Sequence, residues 1–283
     1  MTNAKTSQIF WGKIRPVNRL AIAQALAKSS TVIINEAHFA SIAGEMPPWT
    51  SMATDIKAIN PDTKVVVSFN AFSTFVDAVG KPSVYFPIQC LIHKAATELN
   101  AWLMTKIGVF SEHVKSGTTW VFDIRIPAFR YRLADIINTA LDSYPDIDGV
   151  HFDELHSTIR FLPYQGLPTD EEWTAANKSF LRMIDMPIMG NGTYDITKYH
   201  KTKSRGRYVQ NETSIPHALE VLKSDLELPI SQRWSIVNVI GGLTQQQKAD
   251  WARFSYGTGI GIQRYPSGVP ENFEDYNLET FSF

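Results

Sequence analysis

Short apolar runs rich in Val, Ile and Phe alternate with amphipathic stretches of helical period along almost the whole chain. Eight such runs have strand character: Gln8–Trp11, Thr31–Ile34, Lys64–Phe69, Gly149–Phe152, Pro187–Gly190, Arg207–Gln210, Trp234–Ile240 and Gly259–Gln263. Helical patterns fall between most of them, at Val17–Lys28, Pro48–Ile59, Phe129–Leu141, Glu171–Ile184, Ile215–Lys223 and Thr244–Phe254. A strand followed by a helix and then another strand returns the chain to the same edge direction. The pattern therefore predicts an α/β protein with a parallel sheet.

The helices carry local signals. Leu20, Ile22, Ala23 and Leu26 make an apolar stripe, and Asn60-Pro61 stops the second helix. Thr244 with Gln247 three residues later is a capping box. No GxGxxG or GxxxxGK[ST] follows any strand, which removes the usual support for a nucleotide-binding open sheet. Eight strands in 283 residues suit a (β/α)8 TIM barrel, which needs about 250 residues, so residues 1–283 are expected to form a single domain. One segment breaks the rhythm. Asn70–Thr119 has a helical pattern over Gln89–Leu103 and leads into an extended stretch at Trp120–Ile124. Its Phe72, Phe75, Tyr85, Phe86 and Trp102 are too apolar for disorder, so an ordered wall with short helices is expected at the cleft.

Composition narrows the function classes. A net charge of −1 with no Lys/Arg-rich run argues against nucleic-acid binding. No apolar run approaches the ~18 residues of a membrane span. Met1–Leu20 does not read as a signal peptide, so a cytoplasmic or phage-particle location is expected. Cys90 is the only cysteine, which excludes a disulfide framework and a Cys-based zinc site.

In a barrel of this kind, polar residues just past the carboxyl ends of strands face the active site. Those positions hold Glu36 and His38 after the second strand, Asn70 after the third, and Asp153 and Glu154 after the fourth. Asn191 and Tyr194 follow the fifth, Glu212 the sixth, and Arg264 the eighth. The set offers carboxylates and amides but no nucleophile elbow and no Cys–His pair. Two carboxylates facing each other across a barrel mouth are the minimum equipment for glycoside hydrolysis: one protonates the leaving oxygen, the other attacks the anomeric carbon or activates water. The sharpest local element is Asp146-Ile-Asp-Gly-Val-His-Phe-Asp-Glu-Leu-His156. Gly149 reads as a turn glycine needing positive φ. Asp153 and Glu154 then end an apolar strand, where charge is costly unless used; their bland reading is a cap on the next helix. For Glu212 the bland reading is a solvated loop acid. Glu36 and His38 have no HExxH or clustered second His beside them, which favours substrate contact or structure over metal ligation. Asp123 and Arg125 read as an ion pair, and Trp11, Trp102 and Tyr194 as either sugar platforms or packing.

These residues also carry a resemblance. Thr31-VIINEAHF, Ile59-Asn-Pro-Asp-Thr-Lys-VVVSFNAF, Phe122-Asp-Ile-Arg-Ile-Pro-Ala-Phe-Arg and Ile147-DGVHFDELH together resemble glycoside-hydrolase-like TIM barrels related to the endo-α-1,4-polygalactosaminidases and to barrels that degrade amino-sugar-containing exopolysaccharides. The resemblance implies a catalytic Asp at the end of strand four, here Asp153, and a catalytic Glu at the end of strand six, here Glu212. Asn70–Thr119 departs from it. It implies a polysaccharide-cleaving, endo-acting and retaining enzyme without cofactor or metal, whose partner is a poly- or oligosaccharide. Glu36, His38, Asn70, Glu154, Asn191, Tyr194 and Arg264 would contact the sugar. The rival expectations are a catalytically silent barrel that binds carbohydrate or builds a particle, and a metal-dependent hydrolase using Glu36, His38 and Asp153.

Overall fold

A computed structural model describes residues 7–10, 19–35, 52–70, 73–75, 87–107, 110–116, 119–153, 155–191, 205–212, 214–239 and 243–264. Its centre is an eight-stranded sheet. The strands are β1 (Ser7–Phe10), β2 (Thr31–Asn35), β3 (Lys64–Asn70), β9 (Gly149–Asp153), β10 (Ile188–Asn191), β11 (Arg205–Glu212), β12 (Ile236–Val239) and β13 (Gly261–Arg264). They lie in that order and every paired neighbour is parallel. Each corresponds to one of the eight apolar runs. The edge strands β1 and β13 approach each other, and a Cβ built on Gly261 would collide with the Ser7 hydroxyl.

The helices are α1 (Arg19–Leu26), α2 (Met52–Ile59), α3 (Pro87–Glu98), α4 (Pro127–Asp142), α5 (Asp170–Leu181), α6 (Ile215–Val221), α7 (Lys223–Leu226) and α8 (Gln245–Thr258). They pack on one face of the sheet because successive strand residues alternate faces. Val65, Val67, Phe69, Val150 and Phe152 meet Ile56, Phe129, Leu133, Phe180 and their neighbours in one large buried cluster. Val209, Val237, Val239 and Ile262 meet Ala218, Leu222, Trp251 and Phe254 in another. Each such side chain contributes about 1.5–3 kcal/mol when fully buried. α5 starts at a capping box made by Thr169 and Glu172, and α8 at the one formed by Thr244 and Gln247; α8 ends on Gly259 in the left-handed region (φ 68°). Among the described residues no helix is long and apolar enough to cross a membrane.

The other face of the sheet is packed at its amino end by Ile33, Val66, Met189, Trp234 and Ile236. Three glycines, each two strands from the next, make room there. A Cβ on Gly149 would sit 2.7 Å from Trp234 Cζ3 and 2.8 Å from the Pro187 carbonyl, and one on Gly206 would strike the Trp234 backbone. Gly149 is therefore required by close approach and not by a positive φ, which corrects the turn reading. Bulky residues on some strands facing glycines on others is how a layered sheet interior fills. Trp234 precedes β12 instead of opening it; its ring takes the Lys64 ammonium 4.4 Å from its centroid. Asp146 and Asp148 belong to this end as well. Asp146 accepts from Thr54 Oγ1 (2.7 Å), and Asp148 accepts from the Val65 amide (2.7 Å) and pairs with Lys57 (2.7 Å).

Between β3 and β9 the chain builds an inserted unit. β4 (Ser73–Phe75), β8 (Thr119–Val121) and β7 (Lys115–Ser116) form a small antiparallel sheet, and β5 (Met104–Ile107) pairs with β6 (Phe110–His113) as a hairpin. α3 ends at Glu98, short of the expected Leu103, because Asn100 turns left-handed (φ 48°) and the Ala101 amide closes on the Ala96 carbonyl at 2.7 Å. Trp102 then bridges to Phe122 and packs edge-on to Trp120 (centroids 5.4 Å), with His113 stacked on Trp120 at 3.8 Å. Trp102 is packing. Burial lowers the pKa of both His93 and His113 in this cluster.

Candidate functional site

Polarity changes along the inner face of the sheet, the face turned away from the helices. Among the described residues its amino half holds the apolar cluster of Ile33, Val66, Met189, Trp234 and Ile236. Two residues further along the strands stand Ser68, His151, Asn238 and Gln263, all buried. Register places them together on that face: Ser68 pairs with His151, and Asn238 with Gln263, while Val66 and Ile236 two residues earlier belong to the apolar layer. Buried polar groups are costly, so four of them above an apolar floor mark the carboxyl end as the place where the sheet meets something polar.

Asp153 ends β9 on the same face as His151, two residues away, and pairs in register with Asn70 at the end of β3. It is half-buried. It does not cap a helix: α5 begins at Asp170 and is capped by Thr169. The intervening loop is tied to α5 instead, with Trp173 Nε1 and Asn177 Nδ2 donating to the His156 carbonyl at 3.1 and 3.2 Å. Asn70 has a local duty. Its Oδ1 accepts from the Ser73 amide (2.9 Å) and its carbonyl accepts from Gln89 (3.3 Å), which anchors the inserted unit to the end of β3. That unit also reaches the loop after β9, where Thr105 Oγ1 donates to the Gln165 carbonyl (2.8 Å) and the Lys115 amide donates to the Tyr164 hydroxyl (3.2 Å). It thus stands at the carboxyl end.

His151 lies beneath Asp153. Its Nδ1 is 2.8 Å from Ser68 Oγ. Burial pushes its pKa down to about 4, against the opposing pull of the Asp153 carboxylate, so the ring is neutral at ordinary pH.

Glu212 ends β11 just past a bulge: Val209 pairs with Val237, but Glu212 pairs with Val239. Bulges re-aim side chains and occur beside active sites. Glu212 is only 3 % exposed, so it is no solvated loop acid. One carboxylate oxygen accepts from the Ser214 amide (2.8 Å), and the other lies 2.6 Å from His217 Nδ1 in the first turn of α6. Glu212 and Asp153 sit on strands separated by β10 alone.

Asn191 and Arg264 are the final residues of β10 and β13. Glu36, His38, Glu154, Tyr194 and Trp11 lie outside the described residues. Asp123 and Arg125 form the expected ion pair, with two contacts of 2.8 and 2.9 Å. Among the described residues no group of three or more His, Cys, Asp and Glu gathers as metal ligands would. Sequence reasoning missed Ser68, His151, Asn238 and Gln263. The available signal was period two: counting back from Asp153, His151 shares its face.

No family profile matches the chain, and no curated protein resembles it in sequence. Solved structures do resemble it in fold. The alpha-galactosidase AgaA (GH36) of Geobacillus stearothermophilus, in complex with raffinose, superposes with a TM-score of 0.57 at 12 % identity over 95 % of this chain. The match takes in 40 % of that enzyme, so the chain spans well under half its length. The galactosidase domain of the alpha-galactosidase-sucrose kinase AgaSK gives 0.57 at 13 % identity, over 95 % of this chain and 39 % of that one. Aspergillus fumigatus Ega3 in complex with galactosamine gives 0.53 at 9 % identity, covering 93 % of this chain and 90 % of that one. At such identities the likeness is one of fold: this chain shares the α/β architecture of these proteins.

Proposed function

We propose that the chain is a glycoside hydrolase, built as a single closed (β/α)8 barrel over residues 1–283, that cleaves a poly- or oligosaccharide with Asp153 and Glu212. The observation that carries the reading is the polarity switch on the inner face, with Asp153 at its rim. The fold neighbours support it: two are alpha-galactosidases and the third was captured with galactosamine. An amino-sugar polymer is the substrate class that agrees with the last of these and with the sequence resemblance.

Asp153 attacks the anomeric carbon, and Glu212 protonates the leaving oxygen and later takes a proton from water. Strands two apart in a sheet are about 10 Å apart in backbone, so the two carboxyls approach the ~5–5.5 Å of a retaining pair by leaning inward, the longer Glu above the shorter Asp. His217 Nδ1, 2.6 Å from Glu212, holds that carboxyl in position. Asn70, Asn191, Arg264, Glu36, His38, Glu154 and Tyr194 would hold the sugar, with cleavage internal to the polymer. Asp153→Asn and Glu212→Gln should each lower cleavage of an amino-sugar polymer by at least ~100-fold while the fold persists, the scale of losing a general acid–base group. Two variants as active as wild type would end the assignment.

A second reading has one observation of its own. Glu212 is in register with Val239, which packs against the helices, and its carboxylate is engaged by α6. A structural Glu212 fits a barrel that binds carbohydrate without cleaving it. Wild-type protein that binds polysaccharides yet cleaves none of a broad panel would establish that reading.

A further inference from the structure

Asn238 and Gln263 face each other across β12 and β13 as register partners on the inner face. They are 3 % and 6 % exposed, yet among the described residues Asn238 Oδ1 and Gln263 Oε1 have no hydrogen-bond partner. A buried amide oxygen left unpaired is costly, and side-chain amides in a well-packed interior are normally satisfied. Two on adjacent strands in one layer amount to a prepared pair of acceptors. Their neighbours on the floor, Ile236 and Gly261, carry no donor side chain, and the Ser7 hydroxyl that lies against Gly261 is itself buried without bonding either amide. A donor supplied from above, where the strands end, would satisfy both.

We propose that Asn238 and Gln263 form a hydroxyl-binding subsite on the β12–β13 wall, taking the donor hydroxyls of a sugar ring that enters from the carboxyl end of the sheet. The inference rests on the reading that this end receives carbohydrate. Asp153 stands on β9, three strand steps from β12, so the subsite holds the ring from the far side and orients it toward the carboxylate. The pair selects hydroxyl donors at one edge of the ring and leaves the chemistry to Asp153 and Glu212.

The test uses Asn238→Leu and Gln263→Met, which keep volume and remove the acceptors, with Asn238→Asp as a variant that keeps one. The first readout needs no ligand. Removing an unpaired buried acceptor should leave the denaturation midpoint unchanged or raise it. A lowered midpoint would mean that the amides are structurally bonded, and would overturn the subsite. The second readout is binding of millimolar glucose, galactose and mannose, followed through the side-chain amide NMR signals of Asn238 and Gln263. Wild type should shift these signals with at least one hexose. The apolar variants should weaken that binding by about tenfold or more, the scale of one or two lost hydrogen bonds, and Asn238→Asp should retain it. A hexose that binds without moving these signals would overturn the subsite and leave the hydrolase reading standing. No binding by any hexose in the panel would overturn the subsite, and the polymer-cleavage assay would then decide the hydrolase reading separately.

Discussion

His151 shows what burying a titratable side chain costs this fold. In the unfolded chain its pKa is near the usual 6.5; in the folded protein it is about 4, because burial penalises the imidazolium more than Asp153 rewards it. Between those values the unfolded state binds the extra proton and the native state does not. Stability is therefore full above pH 6.5 and declines as pH falls toward 4, by about 3 kcal/mol at ~1.4 kcal/mol per pH unit. Urea unfolding of wild type from pH 7 to pH 4 should show that decline, and His151→Gln should flatten it; equal slopes would mean that another group is responsible. The residue scale is also where sequence reading stopped short. The strand-end positions of Asp153, Asn70 and Glu212 were legible because a polar residue ending an apolar run is conspicuous. Ser68 within Lys64–Asn70 and His151 within Gly149–Asp153 look like interruptions of a hydrophobic strand until the alternation of faces is imposed. Some local bonds were legible, the Thr244–Gln247 capping box and the Asp123–Arg125 pair among them, but nothing in the order of residues says that Glu212 is held by Ser214 and His217, since that depends on how the chain turns into α6.

Glycine behaves differently in the two kinds of element, and the contrast can be measured. Gly149 in β9 has no room: its Cβ would lie 2.7 Å from a Trp234 ring carbon and 2.8 Å from a backbone carbonyl. Gly149→Ala should destabilise by about 1–3 kcal/mol, the usual cost of overpacking. Gly257 lies in α8 with nothing within 4 Å of its would-be Cβ. Gly257→Ala should stabilise by about 0.5–1 kcal/mol, since alanine loses less conformational freedom in a helix. Chemical denaturation of both variants checks the pair, and an effect of the same sign in each would break the argument. The eight sheet strands were readable at this scale because strands such as β2, β3, β9 and β12 bury their side chains and carry Val, Ile or Phe to do so. Of the inserted strands only β8 was readable, as the extended stretch at Trp120–Ile124. β4 and β7 are three and two residues long, and β5–β6 carries Lys106, Ser111 and Glu112. Segments that short have no period to detect, so only their apolar content, and hence their order, could be anticipated. Asn100 ended α3 early for a similar reason: the helical pattern continued in the sequence, but one left-handed residue redirected the chain.

At the scale of the whole molecule the question is closure. The sheet's first and last strands, β1 and β13, approach most closely where Ser7 meets Gly261, with a Cβ on Gly261 lying 3.2 Å from Ser7 Cβ. A closed barrel leaves no free edge, so closure requires the proximity of β1 and β13 that the structure has, although no hydrogen-bonded pairing joins them among the described residues. Closure would also explain the inner face. Only in a closed ring do Trp234 and its apolar neighbours seal one end and leave the polar residues of β3, β9, β12 and β13 around a common mouth. A disulfide tests this directly, because it needs Cβ atoms about 3.5–4.5 Å apart. With Cys90→Ser removing the native thiol, Ser7→Cys together with Gly261→Cys should oxidise to an intramolecular crosslink in the folded protein with little backbone movement. Such a bridge would close a loop of almost the entire chain, for which the chain-entropy estimate is roughly 5.5 kcal/mol before strain is subtracted. Non-reducing electrophoresis and the denaturation midpoint with and without reductant give the answer. A folded double variant whose thiols remain free under oxidising conditions would show that the edges do not meet, and the barrel, with the shared mouth it provides for Asp153 and Glu212, would have to be given up.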